Sequence, residues 1–209
     1  MKFFQKDNLP NGRTHIYFCG IKIASYKKTY KPQGINNKII NPQKNCRCYI
    51  YGNNNEIIFG KDVDWFGTIT IGYPDAPANN CIVNIGNKSK SNGVEIQICE
   101  NNTRVEIGPE CLFSWGINMW ASDTHSITDL DGKIINIGKY IKIGSHVWIG
   151  MGATILKNTI IPDNCIIGTQ SVVCGKFQKS NCVIAGNPGK VVKENINWNH
   201  KRPNQYTKD

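Results

Sequence analysis

IGKYIKIGSHVWIGMGATILKNTIIPDNCIIGTQSVV, residues 137 to 173, decides the fold. An aliphatic residue falls on every sixth position: Ile137, Ile143, Ile149, Ile155, Ile161, Ile167 and Val173. Glycine follows it at Gly138, Gly144, Gly150 and Gly168. Four positions after each aliphatic stand Ile141, Val147, Ala153, Thr159, Cys165 and Ser171, all of them small or β-branched. Chance would give seven aliphatic hits with odds on the order of one in ten thousand. A period of six fits neither a 3.6-residue helix nor a long two-residue alternation. It fits a short flat strand that turns a corner and repeats, with the aliphatic inward and the glycine relieving the bend. Three sides make a triangular coil of about eighteen residues, and only stacking closes its core.

The frame also holds at Ile107, Phe113 and Met119, then lapses through SDTHSITDLDGKIIN, residues 122 to 136. That stretch reads as a loop thrown out of one corner with His125 at its base. Upstream, from Lys38, short β-rich runs end in Gly, Asn or Pro, as irregular coils would. Asn53, Asn54 and Asn55 suit left-handed corners. The spacing predicts a cap segment over residues 1–33, coils over 34–198, and a tail over 199–209. Within the cap, Tyr17 to Tyr30 reads as a strand pair or a short helix. KVVKENINW reads as a short helix over the last coil, and the tail as frayed.

No run of eighteen apolar residues exists, and the opening MKFFQKDNLPNGR lacks the apolar core of a secretory signal, so a cytoplasmic location is expected. Nine cysteines without a CxxC pair read as buried small hydrophobes, with neither a disulfide framework nor a zinc site expected. The net charge of +10 is uneven. Residues 1–50 hold ten Lys and Arg against one acid, 51–174 eight against twelve, and 175–209 seven against two. A basic end can meet nucleic acid, a membrane surface or a phosphate-bearing small molecule. No nucleic-acid module is legible, which disfavours the first; a weak membrane-surface association of the first segment stays open.

IGSHVWIGMGATI, NCIIGTQSVV and VIAGNPGKVVKENINW, with ASDTHSI ahead of them, resemble the hexapeptide-repeat acyltransferases, especially sugar O-acetyltransferases of bacterial capsule and lipooligosaccharide loci. The resemblance implies a left-handed parallel β-helix, use of acetyl-CoA, a carbohydrate acceptor such as a sialic acid or capsule sugar, and a homotrimer with sites between subunits. It makes His125 the general base; histidine's ordinary pKa of about 6.5 suits that work. Asp123 could orient the imidazole or cap the loop. Trp148 matches a position beside the acetyl group, where it could donate to an oxyanion or simply pack. Met151, Thr169 and Cys174 match positions along the pantetheine arm, and Lys190 and Lys193 positions at the coenzyme's phosphates. Arginine is frequent in relatives where those lysines stand, so two-pronged phosphate recognition gives way to point-charge attraction. Among the other histidines, His146 reads as a solvated turn residue, and His15 and His200 as surface ends. An N-acetyltransferase on an amino-sugar nucleotide or a xenobiotic such as an antibiotic, and a non-catalytic solenoid used for assembly, are the competing readings; a metal-dependent hydratase would need a third histidine beside His125 and His146.

Overall fold

The structure is a computed structural model that describes residues 4–8, 13–19, 21–27 and 33–205. It forms two units, residues 1–31 and 32–209. The first is an antiparallel three-stranded sheet of Phe4–Asn8, Arg13–Phe18 and Ile21–Lys27. The strand-pair alternative for Tyr17 to Tyr30 is thus the one found up to Lys27; residues 28–30 lie outside the described residues.

The second unit is a three-sided parallel coil. One face stacks Lys38–Ile40, Glu56–Phe59, Ile82–Ile85, Arg104–Ile107, Tyr140–Ile143 and Thr159–Ile161. A second carries Leu112–Phe113, Trp148–Ile149, Ile166–Ile167 and Val183–Ala185. The third carries Cys46–Ile50, Ile117–Trp120, Thr154–Leu156 and Val172–Val173. Asp64–Ile71 and Lys90–Ile98 are long because each bends from the second face onto the third.

Why the chain turns where it does is visible at its corners. Asn36, Asn54, Asn80 and Asn102 all take positive φ, and the side-chain amides of the first three each donate a hydrogen bond to the asparagine of the next coil, at 3.1, 3.2 and 3.3 Å. Asparagine tolerates this left-handed region better than other non-glycine residues, so the ladder is cheap to build. The ladder also measures the coils: 18, 26 and 22 residues separate its rungs. Of the three adjacent asparagines, only Asn54 supplies the positive φ; Asn55 is buried and bonds the Ala78 carbonyl at 2.9 Å. At a second corner Asp62, Lys88, Glu110, His146, Asn164 and Asn181 repeat the left-handed turn.

The inward positions form the core. Ile143, Ile149, Ile155, Ile161, Ile167 and Val173 are buried, as are all six residues four positions on. Ile137 is not: it is 54% exposed. Met119 pairs across the sheet with Ile155, a whole loop-bearing coil later, so the agreement of the frame at Ile137 was accidental. That coil spans 36 residues, long enough to carry the excursion and still return to register.

The C-terminal helix expected over KVVKENINW is absent. Lys190–Lys193 is a strand, antiparallel to Val183–Ala185. Two adjacent valines favour extended backbone, the segment is too short to nucleate a helix alone, and the last coil offers an open strand edge. The only helical segment among the described residues is the 3-10 turn Pro203–Gln205, so part of the tail is ordered and no helix is long and apolar enough to cross a membrane. The tail's last four residues, 206–209, lie outside the described residues.

Candidate active site

His125 stands where the third face would pass to the first. After Trp120 the chain leaves the coil, makes a hairpin closed by a Thr128–Ile134 bridge, and returns at Gly138. Both necks of this excursion are tied to one carboxylate. Glu100 accepts a hydrogen bond from the Ser122 hydroxyl at 2.8 Å and from the Gly138 amide at 2.6 Å. Between them Thr124 is held at φ 68, a strained setting for a β-branched residue, with its amide bonded to the Ser122 hydroxyl at 3.0 Å.

A second tie runs through Asn136, whose side-chain amide donates to the Asp123 carboxylate at 2.9 Å and to the His125 carbonyl at 2.8 Å. Its own oxygen accepts from the Ile127 amide at 2.8 Å. From the next coil, Lys157 reaches across to pair with Asp123 and to bond the Asn136 carbonyl at 2.7 Å. The Lys157 ammonium, with the Asn136 amide beside it, holds the Asp123 carboxyl below its usual range.

The His125 backbone is therefore fixed while its ring stays free. The ring is exposed, has no hydrogen-bond partner among the described residues, and borders a cavity of about 380 Å³ shared with Cys99, Glu100, Asn101, Thr124 and Asn136. Asp123 is not at the imidazole: its carboxylate serves Lys157 and Asn136, and only its backbone carbonyl meets the His125 amide, at 2.7 Å. It acts on the loop rather than on the ring, through its side chain and its backbone carbonyl together.

The other sites foreseen from the sequence lie elsewhere on the prism. Trp148 sits on the second face, 39% exposed, against a cleft of about 570 Å³ with Asn197, Trp198, Asn199 and Lys201. One chain does not bring it to His125. Met151 and Thr169 are exposed in successive coils at the corner between the second and third faces, where the Gln170 amide bonds the Met151 carbonyl at 2.9 Å. Cys174 is exposed at the far end of the third face, just past Val172–Val173.

Lys190 and Lys193 are three apart on a strand, which should send them to opposite sides. The register shifts between Val183 and Ile184, so that Lys190 stands opposite Ala185 and Lys193 opposite Val183, leaving Val192 as the extra residue. A bulge of this kind re-aims the side chain beyond it. Both ammonium groups consequently share the side opposite to buried Ile184.

His146 is not simply a solvated turn. It occupies a left-handed corner, stacks on the Trp198 ring at 4.2 Å, and bonds Asn164 at 3.1 Å. Trp198 returns a hydrogen bond to the His146 carbonyl at 2.8 Å. His200 meets the same indole edge-on, and burial beside Lys90 and His146 pulls its pKa below the ordinary value. His15 belongs to the first unit. Among the described residues, no three His, Cys, Asp or Glu side chains converge as a metal ion would require.

Comparison with known proteins now adds the lineage. A polysialic acid O-acetyltransferase of Neisseria meningitidis is 36% identical over 172 residues, which cover 79% of this chain and 77% of that one. The chain belongs to the hexapeptide-repeat acyltransferases. The family model for the bacterial transferase hexapeptide (six repeats) matches residues 140–175 of this acyltransferase, the span where the coil settles to eighteen residues. The solved polysialic acid O-acetyltransferase OatWY overlays it with a TM-score of 0.60 at 30% identity, over 84% of this chain and 93% of that one. The polySia-specific acetyltransferase NeuO does so with a TM-score of 0.66 at 27% identity, over 82% and 88%. The acyltransferase shares their left-handed hand of coiling.

Sequence reasoning missed Glu100, Asn136 and Lys157. Asp123 and Lys157 are 34 residues apart, and no spacing rule links a loop to the coil beneath it.

Proposed function

We propose that this acyltransferase moves an acetyl group from acetyl-CoA to a sugar hydroxyl of a surface glycan, with His125 as general base. The observation that carries the reading is the His125 ring: without a hydrogen-bond partner among the described residues, open to a cavity, on a backbone fixed from both sides. Likeness to polysialic acid O-acetyltransferases supports a glycan acceptor.

In the reaction, the imidazole removes the acceptor hydroxyl's proton as its oxygen bonds to the thioester carbonyl carbon. The tetrahedral oxyanion then collapses, the carbon–sulfur bond breaks, and the imidazolium returns its proton to the leaving thiolate. Trp148 would border the acetyl group. Because it lies on a different face from His125, the pair would be completed by a neighbouring copy in a homotrimer, with Met151, Thr169 and Cys174 along the pantetheine arm. Lys190 and Lys193, on one side of their strand, would meet the phosphates as point charges. The cytoplasm, where acetyl-CoA is made, is the location this reading favours.

The test is thiol release from acetyl-CoA with a panel of hydroxyl- and amine-bearing sugars. Glycan hydroxyls should be acetylated, and His125→Ala should lower kcat by about 10²–10⁴-fold. Transfer to amines alone would favour the N-acetyltransferase reading; undiminished turnover in the variant would remove His125 from the chemistry.

A further inference from the structure

Beyond Ile196 the chain folds back over the second face, and one side chain holds it there. Among residues 194–205 only Trp198 is buried, at 7% exposure. Its indole N–H donates to the His146 carbonyl at 2.8 Å, and its ring lies flat on the His146 imidazole, at 4.2 Å and 7°. His200 and Trp148 close on the same ring at 4.8 and 6.1 Å. The backbone adds little. The Ile196 amide reaches the Asn181 carbonyl at 2.9 Å, and past it the one backbone–backbone bond among the described residues is Gln205 to Arg202.

The tail so held makes a cleft that the coils alone do not have. Trp148 and Ile166 form its floor, and every other lining residue lies between Asn197 and Pro203. The rim is one-sided in its chemistry. The Asn197 oxygen accepts from the Trp198 amide and the Asn199 oxygen from the Lys201 amide, both at 2.8 Å. Each side chain is left to present its –NH2 group, which has no partner among the described residues. With the Lys201 ammonium, these groups set a rim of donors above an apolar floor. Such a rim suits an extended ligand whose body is apolar and whose polar atoms are acceptors.

The floor also has a direction. Trp148 pairs with Ile166, Ile166 with Val183, and Val183 with Lys193. The four side chains stand outward in one column, three strand spacings or about 14 Å from indole to ammonium. One end of the column is the residue beside the acetyl group in the reading above, and the other is a residue at the phosphates. Met151 and Thr169 flank it at the neighbouring corner, three residues beyond Trp148 and Ile166.

We propose that the tail is the outer wall of the donor slot and that Trp198 is its positioning residue. Trp198 keeps residues 197–203 over Trp148, where the Asn197 and Asn199 amides and Lys201 meet the carbonyl oxygens along the coenzyme's arm. The proposal rests on the acetyl-CoA reading above and adds to it a wall supplied by this chain and built before the coenzyme arrives. A wall already in place spares binding the ordering of a free segment.

The probe is coenzyme A, whose binding needs neither acceptor nor turnover. Followed by calorimetry, Trp198→Ala should raise its Kd about tenfold, because the loosened tail must then be ordered on binding. Trp198→Phe keeps the stack on His146 and loses only the N–H, so it should stay within about threefold of wild type. In transfer, KM for acetyl-CoA should follow the same order, with KM for the glycan acceptor unchanged. Asn199→Asp keeps the oxygen that bonds the Lys201 amide and replaces the donor with a carboxylate; it should weaken coenzyme A several-fold with the tail still in place. Trypsin reads the tail directly. Cleavage after Lys201 should be slowed by coenzyme A in wild type; without coenzyme it should be faster in Trp198→Ala and at the wild-type rate in Asn199→Asp. The melting temperature should barely move in any variant, since the coils keep their core. The proposal is overturned if Trp198→Ala keeps wild-type affinity, or binds tighter and so makes the tail an obstacle. It is equally overturned if Trp198→Phe fails to restore binding, if coenzyme A leaves Lys201 unprotected, if Asn199→Asp binds as wild type, or if affinity falls only in step with the melting temperature. Wild type that binds no coenzyme A would remove the wall and the donor reading together. Coenzyme binding lost in the variants, with no glycan acetylated by wild type, would leave the wall standing and sink the acceptor reading alone.

Discussion

At the scale of single residues, the useful division is between side chains that act on the substrate and side chains that hold others in place. Lys157 belongs to the second kind. Its pairing with Asp123 is partly exposed, so its loss should cost stability little, about 0–1 kcal/mol. Its loss from the loop matters more, since about 1 Å of misplacement can cost 10²-fold in rate. Lys157→Ala should therefore lower kcat by about ten- to a hundred-fold with KM for acetyl-CoA unchanged, and Lys157→Arg should restore most of it; a matching fall in melting temperature and kcat would point to a merely structural role. The pH dependence of this tie has a definite sign. Asp123 has a depressed folded-state pKa, so the stability it lends is complete above the ordinary carboxylate value of about 4 and fades as pH falls below it. An acid limb in the activity between pH 5 and 7 would then belong to another group, and Asp123→Asn should leave that limb in place.

The cysteines separate by burial in the same way. Cys174 and Cys19 are exposed, whereas Cys46, Cys48, Cys81, Cys111, Cys165 and Cys182 are buried. A thiol reagent at pH 8 should label the two exposed residues quickly and the six buried ones only on unfolding. Acetyl-CoA should protect Cys174 and leave Cys19 reactive; equal protection of both, or of neither, would remove Cys174 from the coenzyme groove.

At the scale of elements, the strand Lys190–Lys193 repays attention because two expectations about it met. A helix would have set Lys190 and Lys193 on one face by its 3.6-residue turn, and a regular strand would have set them apart. The protein reaches the same juxtaposition with a bulge at Val192. Deleting Val192 should restore a regular register and turn Lys193 away, raising KM for acetyl-CoA several-fold, much as Lys193→Ala would. KM for the acceptor should not follow, and a kinetic assay varying each substrate separately distinguishes the two. How the element would pair was hidden from the sequence, because the partner edge is created only when the preceding coil closes. By contrast the loop over residues 122–136 was visible as a break in the period, with His125 in it, because a solenoid advertises every departure from its repeat.

At the scale of the whole molecule, the thiols bear on stability. Burial pushes Cys81 up to about 11, and Cys111 and Cys165 up to about 12; the Cys46 thiol is raised too, chiefly by its hydrogen bond with the Cys48 thiol and then by burial. Groups with raised folded-state pKa values favour the native state fully below the unfolded thiol value of about 8.5. That advantage is lost as pH climbs through the folded values. The melting temperature should accordingly be flat near neutrality and fall steadily above about pH 9. Replacing Cys111 by alanine should blunt the fall while lowering the temperature at pH 7 through the lost packing. A flat profile to pH 11 would show that the thiols are not the cause.

The sequence by itself determined the prism, since a six-residue period of aliphatics can bury its side chains in no other common way, and a lapse in that period can only be a loop. It also singled out the candidate site residues, through their type and neighbours. Tertiary structure alone decided which of them meet. Contacts between a loop and the coil below it, such as Lys157 with Asp123, or between a corner and a returning tail, such as His146 with Trp198, join residues 34 and 52 positions apart. The repeat sets the rise of each coil, but the length of every insertion sets which coil lies beneath, and that length obeys no period.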